Sequence, residues 1–245
     1  GMTTVGEYYL LRDQLQHLSP DVVVLGLFMA NDINFNLGHQ ERRDARGTGW
    51  AERLGRRSAL VHYLHLRALA ADPRHRLWSE SPNVALTLVD SDGLHMLSDP
   101  AGEIATYMKE PSELIDRAFE VLRNVLQEFL DLGRERGFRF AVLVIPTRSA
   151  VTGSLDLPHH PRMLLELAEH GIHVREADLD FARPTDRVRA ICADLGVPFI
   201  DPTARMQRVG MEVFFPTDEH TTALGHGALA RELLEHLDDW LPGSR

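Results

Sequence analysis

The stretch that decides the fold is DVVVLGLFMANDI, residues 21–33, in which a long apolar run ends in polar residues. Its first part, residues 21–28, is rich in β-branched side chains and shows no alternation of apolar and polar positions. A second run, FRFAVLVI at residues 138–145, has the same character. Runs that are apolar on both faces are typical of parallel strands covered on both sides, so both predict buried strands. A shorter run, VPFID at residues 197–201, predicts a third strand that ends in a polar residue.

Helical periodicity lies around these three runs. The longest example begins at Pro111-Ser112-Glu113 and continues with one apolar stripe through Phe129 to Arg136. Strands that alternate with helices predict an α/β sandwich, organised as one domain over residues 1–245. The helices predicted are Val5–His17, Pro111–Arg136, Thr185–Leu195 and Thr222–Leu241.

Residues 34–109 interrupt this alternation and predict an insertion. Within it, residues 56–71 predict a helix, and residues 84–97 predict a hairpin that turns at Ser91-Asp92-Gly93. An insertion of this length commonly forms a lid or an accessory surface. Its aromatic residues either stack on a sugar or pack the lid against the body; they are Trp50, Trp78 and Tyr107.

The charge balance argues against a nucleic-acid partner. The chain has 26 Lys and Arg against 36 Asp and Glu, a net charge of −10, and acidic residues dilute its one Arg-rich stretch at residues 42–57. No apolar run approaches the roughly twenty residues of a membrane-spanning helix. Cys192 is the only cysteine, so no internal disulfide can form. Its surroundings, RAICADLG, predict a buried helix face rather than an activated thiol.

Polar residues follow the first predicted strand, at the edge where parallel sheets place their ligands. The Asn31 amide can donate a hydrogen bond to a developing oxyanion, and Asp32 can hold the loop by accepting backbone amides. The alternative interpretation is a strand-terminating Asx turn without a catalytic role.

A second polar cluster, FFPTDEHTTALGH at residues 214–226, precedes the last predicted helix. In it the Asp218 carboxylate can hold the imidazole of His220 in the tautomer that accepts a proton. Thr221 or Thr222 would cap the helix. The alternative is that Asp218 is a helix cap and His220 a surface residue.

Taken together, PDVVVLGLFMANDI and FFPTDEHTTALGHGALARELLEHL resemble the SGNH (GDSL-type) hydrolase superfamily. The resemblance implies a three-layer α/β/α sandwich with a mainly parallel, flavodoxin-like sheet. It implies a serine ester hydrolase that removes an acyl or acetyl group from a small-molecule or carbohydrate ester without a cofactor. In that family's terms His220 is the general base, Asp218 orients it, Asn31 lines the oxyanion hole, and Gly1 of GMTT supplies a backbone donor.

The family's nucleophilic serine belongs to a Gly-Asp-Ser motif on a strand ahead of the Gly block. No Gly-Asp-Ser occurs in these residues. Ser149 and Ser154 follow the second strand, where the family has no nucleophile. We therefore expect that the gene start is placed too late or that the chain is a fragment, in preference to a degenerate member that lost its first strand. The start Gly1-Met2 fits a tag remnant or a cut in a longer chain, which leaves the compartment open between cytoplasm and export.

Two other functional classes compete with the hydrolase. The first is a non-catalytic carbohydrate- or partner-binding domain on the same scaffold. The second is a metal-dependent hydrolase, prompted by His62 and His65 and by Asp218, His220 and His226. No HExxH or comparable ligand spacing occurs, so we predict neither a metal site nor a cofactor. A sheet edge left without its first strand would favour a homo-oligomer, and His159-His160 predicts an exposed loop.

Overall fold

The computed structural model describes residues 4–30, 32–33, 36, 84–90, 93–111, 113–157, 160–169, 173–217 and 219–237. The predicted helix at 56–71, the Arg-rich stretch, Trp50, Trp78, His62 and His65 lie outside these residues. The helices are α1 Thr4–Gln14, α2 Asp99–Tyr107, α3 Glu113–Arg136, α4 Arg148–Thr152, α5 His160–Glu169, α6 Arg183–Leu195, α7 Thr203–Val209 and α8 Ala223–Leu237. The strands are β1 Val22–Phe28, β2 Val84–Asp90, β3 Gly93–Ser98, β4 Arg139–Ile145 and β5 Phe199–Ile200, and short 3₁₀ turns cover Glu176–Asp178 and Met211–Val213.

The central sheet has the order β1-β4-β5, and both pairings are parallel. β1 and β4 pair along their whole lengths, from Val22 opposite Arg139 to Phe28 opposite Ile145. The two long predicted strands are confirmed, and the third is shorter than predicted. The chain is therefore an α/β protein with a parallel sheet. In the described part of the chain, β1 has β4 as its one strand partner.

The main core lies between the sheet and α3, whose predicted apolar stripe is buried. The Phe129 ring stacks on Phe140 of β4 with centroids 4.9 Å apart and meets the edge of Tyr8 on α1 at 5.3 Å. This contact joins α1, α3 and β4 in one apolar cluster. α6 adds the buried Cys192, as predicted, and burial raises the pKa of its thiol to about 12.

The predicted hairpin is confirmed, because β2 and β3 pair antiparallel with Asp90 opposite Gly93. α2 follows β3 directly, and its Ile104 and Tyr107 are buried in the main core. The last part of the predicted insertion is thus built into the body of the protein. Tyr107 packs inside that body, which favours the packing interpretation of this residue over sugar stacking.

A second apolar cluster lies at the end of β4. Ile145 packs against side chains from α4, α7, α8 and the 3₁₀ turn at Met211–Val213; they are Val151, Met206, Val213, Phe214, Ala228 and Leu229. Thr222 caps α8 as predicted, since its hydroxyl lies 3.4 Å from the Gly225 amide. No helix in the described residues combines the length and apolar character needed to cross a membrane.

Phe129→Ala is expected to lower the free energy of unfolding by about 3–5 kcal/mol, because it deletes a ring packed between α1 and β4. Denaturant titration measures the loss. The control is Leu234→Ala on α8, where the leucine is 59% exposed and a change below about 0.5 kcal/mol is expected. Equal losses in the two variants would contradict this description of the core.

Candidate functional site

The carboxyl ends of β1 and β4 meet at one edge of the sheet. The Met29 amide donates to the Ile145 carbonyl at 3.1 Å, so the two chain segments stay joined for one residue beyond β1. Thr147 and Arg148 are the second and third residues after β4. In open parallel sheets this edge is where ligands bind, because strands end there and loops diverge.

A tight loop, residues 214–221, approaches this edge and is called the His220 loop below. Phe214 and Thr221 form an antiparallel bridge, and the Phe215 amide donates to the His220 carbonyl at 3.1 Å. His220 therefore lies where the loop closes, immediately before α8, and its side chain is exposed. Asp218 is outside the described residues, so its pairing with His220 stays a prediction.

Arg148 fastens the His220 loop to the end of β4. Its Nη1 donates to the carbonyls of Phe215 and Pro216, each at 3.2 Å. Its Nε and Nη2 donate to the Asp156 carboxylate at 2.9–3.2 Å. The guanidinium is a planar fork, so a carboxylate on one side fixes the direction of the donors on the other.

Gly225, in the first turn of α8, lies at the base of the same loop, where there is no room for a side chain. A Cβ built on this residue would lie 2.3 Å from the carbonyl oxygen of Val213 and 2.9 Å from Cβ of Thr221. The first turn of α8 therefore packs directly against the chain entering the loop. The Thr222 amide completes the closure by donating to the Val213 carbonyl at 2.9 Å.

A buried polar cluster lies on the inner side of the His220 loop. The Tyr107 hydroxyl donates to Glu103 Oε1 at 2.5 Å and lies 2.5 Å from Thr147 Oγ1, which accepts the Ala150 amide. Burial, and then the charge of Glu219, raise the pKa of Glu103 well above its usual range.

His160 joins this cluster from the first residue of α5. The prediction of an exposed loop at His159-His160 is wrong for His160, whose side chain is buried; His159 lies outside the described residues. The Leu157 amide donates to Nδ1 at 3.1 Å, and Nε2 lies 3.9 Å from Glu219 Oε1. The local sequence misleads because the segments that cover α5, among them α2 and the His220 loop, are distant in the chain.

The other predicted part of the site is formed around β1 and α1. The Phe28 amide donates to Asp32 Oδ2 at 2.8 Å, which confirms that Asp32 holds this loop by accepting a backbone amide. The Val5 amide donates to Asn36 Oδ1 at 3.1 Å, so the first turn of α1 lies against the segment after β1. Burial raises the pKa of both Glu7 and Asp32 to about 7. Asn31 and Gly1 themselves lie outside the described residues.

The two serines that follow β4 are poorly placed as nucleophiles. Ser149 is 0% exposed on α4. Ser154 is half-buried, and its hydroxyl donates to Thr152 Oγ1 at 3.3 Å. Across the described ranges, no group of three or more His, Cys, Asp or Glu side chains is arranged to hold a metal ion.

Sequence reasoning found the His220 loop and Asp32 but missed Glu103, Arg148 and Glu219. Arg148 had a usable signal, because it stands three residues after a buried parallel strand. Glu219 stands beside His220 in the sequence, yet its inward direction depends on the fold. No sequence pattern indicated a functional role for Glu103, since α2 lies inside the predicted insertion.

Comparisons of the chain with protein-family models, with curated proteins and with solved structures found no match. The chemistry of the site is therefore inferred from its own residues and contacts.

Arg148→Lys is expected to loosen the His220 loop, because a single ammonium cannot donate to Asp156 and to two carbonyls in the same fixed geometry. Loss of these charge-assisted bonds corresponds to about 1.5–3 kcal/mol of local stability, or roughly 10–100-fold faster hydrogen exchange at the Phe215 amide. The control is Arg208→Lys on the exposed face of α7. Unchanged exchange in Arg148→Lys would contradict the anchoring role.

Gly225→Ala is expected to destabilise the protein by about 1–3 kcal/mol, because its Cβ overlaps the Val213 carbonyl. Gly227→Ala, two residues further along α8, meets no atom within 4 Å and is expected to gain up to about 1 kcal/mol from helix propensity. Thermal unfolding of both variants measures the contrast. A loss in Gly227→Ala as large as in Gly225→Ala would rule out close packing as the cause.

Proposed function

We propose that this chain belongs to an SGNH-type serine ester hydrolase in which His220 is the general base. The observation that carries the proposal is the location of His220, exposed on a tight loop that Arg148 fastens to the carboxyl end of β4. Together with the sequence resemblance, this location supports a base directly ahead of the last helix. The three-layer sandwich, and a lid formed by the residues between β1 and α2, belong to the same proposal.

The proposed reaction is acyl transfer to a serine and then to water. The serine Oγ attacks the ester carbonyl while its proton passes to His220, and the alcohol leaves with that proton. Water, deprotonated by His220, then attacks the acyl-enzyme; the acid leaves, and the proton passes from His220 back to the serine Oγ. Asn31 and the Gly1 amide stabilise the oxyanion, and Asp218 orients the imidazole. No step requires a metal or cofactor.

The nucleophile in this proposal is the family's Gly-Asp-Ser serine, which would precede Gly1. Ser149 is buried and Ser154 is bonded to Thr152, so neither serine after β4 supports attack on a substrate. The substrate is a small-molecule or carbohydrate ester. Where that upstream strand is absent, homo-oligomer formation through the edge of β1 is proposed, because the described residues supply that edge with no second strand.

A non-catalytic binding domain on the same scaffold is the second candidate. It is favoured by the burial of Ser149 and the bonding of Ser154 at the strand end. The two functions differ in whether a serine reacts with an electrophile at all.

Fluorophosphonate labelling with peptide mapping tests the proposal on two proteins, this chain and a chain extended with the residues encoded ahead of Gly1. We expect labelling of an upstream serine in the extended protein, and a drop in ester hydrolysis of at least about 10³-fold in His220→Ala. His173→Ala, on an exposed residue, is the control.

Three results would count against the proposal as stated. Labelling of a serine within residues 1–245 that depends on His220 would assign the nucleophile elsewhere. Labelling that survives His220→Ala would remove His220 as the base. Absence of labelling in both proteins would favour the binding domain.

A further inference from the structure

Phe215 and His220 face each other across the short antiparallel pair that closes the His220 loop. Phe214 and Thr221 form the bridge of this pair, and one residue further along the Phe215 amide donates to the His220 carbonyl at 3.1 Å. Residues directly opposite in an antiparallel pair project from the same face, with Cβ atoms roughly 4.5–5.5 Å apart. The phenyl ring of Phe215 and the imidazole of His220 therefore leave the loop on one face.

The exposed fractions of the side chains show that this face is turned to solvent. Phe214, on the opposite face, is 2% exposed and belongs to the second apolar cluster. Phe215 is 49% exposed, and His220 is exposed as well. Leu224, in the first turn of α8, is 53% exposed. The loop and the helix turn that follows it thus expose large apolar side chains close in sequence to the proposed base.

The backbone of Phe215 is held on both sides. Its amide is bonded to the His220 carbonyl, and its own carbonyl accepts from Arg148 Nη1 at 3.2 Å. The Asp156 carboxylate fixes the direction of that guanidinium. None of these contacts uses the phenyl ring, so the ring is presented from a fixed point of the chain without being needed to fasten the loop. A surface that is ordered before a ligand arrives costs less to order on binding.

Polar side chains beside this surface are bonded within the protein. The Thr222 hydroxyl donates to the Glu212 carbonyl at 2.6 Å, and Arg148 is occupied by the bonds described above. Thr221 Oγ1 lies 3.3 Å from His226 Nε2. A sugar ring needs partners for its hydroxyl groups, because burying a hydroxyl without a hydrogen bond is costly, whereas an alkyl or aryl group needs only apolar surface. The engagement of these side chains favours an apolar ligand group over a sugar at this position.

The chemistry of a general base indicates which part of an ester would lie here. In acyl transfer the imidazole that takes the proton of the serine then gives it to the leaving group. The alcohol oxygen of the ester must therefore come within hydrogen-bond distance of His220. A ring that shares a face with His220 lies beside the alcohol part of such a substrate.

We propose that Phe215 is a specificity-determining residue, whose ring forms an apolar subsite beside His220 for the alcohol part of the ester. The substrate class is then an ester of an alkyl or aryl alcohol rather than a sugar ester. This inference rests on the proposed function for the reaction and for the role of His220. The apolar surface itself does not depend on a reactive serine, so binding is tested apart from hydrolysis.

Three acetamides test the subsite, because an amide keeps the shape of an acetate ester and resists hydrolysis. N-methylacetamide, N-pentylacetamide and N-acetylglucosamine place a methyl, a pentyl and a sugar group where the alcohol of the ester would lie. NMR titration measures their affinities, both for this chain and for the chain extended ahead of Gly1. At about twofold to fourfold for each added methylene, N-pentylacetamide should bind at least about tenfold more tightly than N-methylacetamide. N-acetylglucosamine should bind no more tightly than N-methylacetamide.

Variants of Phe215 make the test specific. Phe215→Ala should reduce the ratio of the pentyl to the methyl affinity to below about threefold, and Phe215→Leu should retain most of it. Phe215→Gln replaces the ring with a polar side chain, should reduce the ratio in the same way, and decides the matter if Phe215→Ala does not fold. The control is Leu234→Ala, near the end of α8, where the leucine is 59% exposed and the ratio should not change.

Two further measurements separate binding from loop structure and from catalysis. Hydrogen exchange at the Thr222 amide, which is bonded to the Val213 carbonyl, should be the same in all variants, because the ring does not fasten the loop. In the extended protein, the ratio of kcat/KM for pentyl acetate to that for methyl acetate should follow the same order among the variants as the affinities.

The inference is overturned by equal affinities for the two alkyl acetamides, or by no binding of N-pentylacetamide to either protein. It is also overturned by a ratio that Phe215→Ala and Phe215→Gln leave unchanged, or by tighter binding of N-acetylglucosamine. Phe215-dependent binding of N-pentylacetamide without a reactive serine would support the subsite and remove the proposed hydrolase. His220-dependent labelling of a serine with equal affinities would do the reverse.

Discussion

Parallel pairing of β1 with β4 is the constraint on which the rest of the structure depends. The two strands stay in register for seven residues, and both are largely apolar. A parallel pair needs a long crossover, and its side chains need cover. α3 covers the strands by stacking Phe129 on Phe140 of β4, and Tyr8 of α1 packs against the Phe129 ring. The pairing also brings the ends of both strands to one edge, where the candidate site lies.

At that edge the protein replaces apolar packing with a chain of hydrogen bonds. The Ala150 amide, Thr147, Tyr107 and Glu103 are linked in sequence from the end of β4 to α2. Buried polar groups are costly unless each finds a partner, so a chain of this kind is stable only in one arrangement. The inner side of the His220 loop lies beside this chain, where Glu219 Oε1 is 3.9 Å from His160 Nε2.

The outer side of the same loop is held differently. Arg148 donates to two carbonyls of the loop, and the Asp156 carboxylate fixes the direction of its guanidinium. In a hydrolase this anchor would keep the base near the end of the strand.

Local sequence patterns were sufficient for the strands, the hairpin, the long helix, the burial of Cys192, the Thr222 cap and the amide contact of Asp32. Each of these depends on periodicity or on neighbours a few residues away, and such signals can be read directly from the sequence. The positions of Asn31, Asp218 and Gly1 relative to one another are still predictions. The burial of His160 and of Glu103 was decided by tertiary structure alone. Whether a polar side chain faces water or a buried partner depends on segments that are distant in the chain and are brought together only when the core forms.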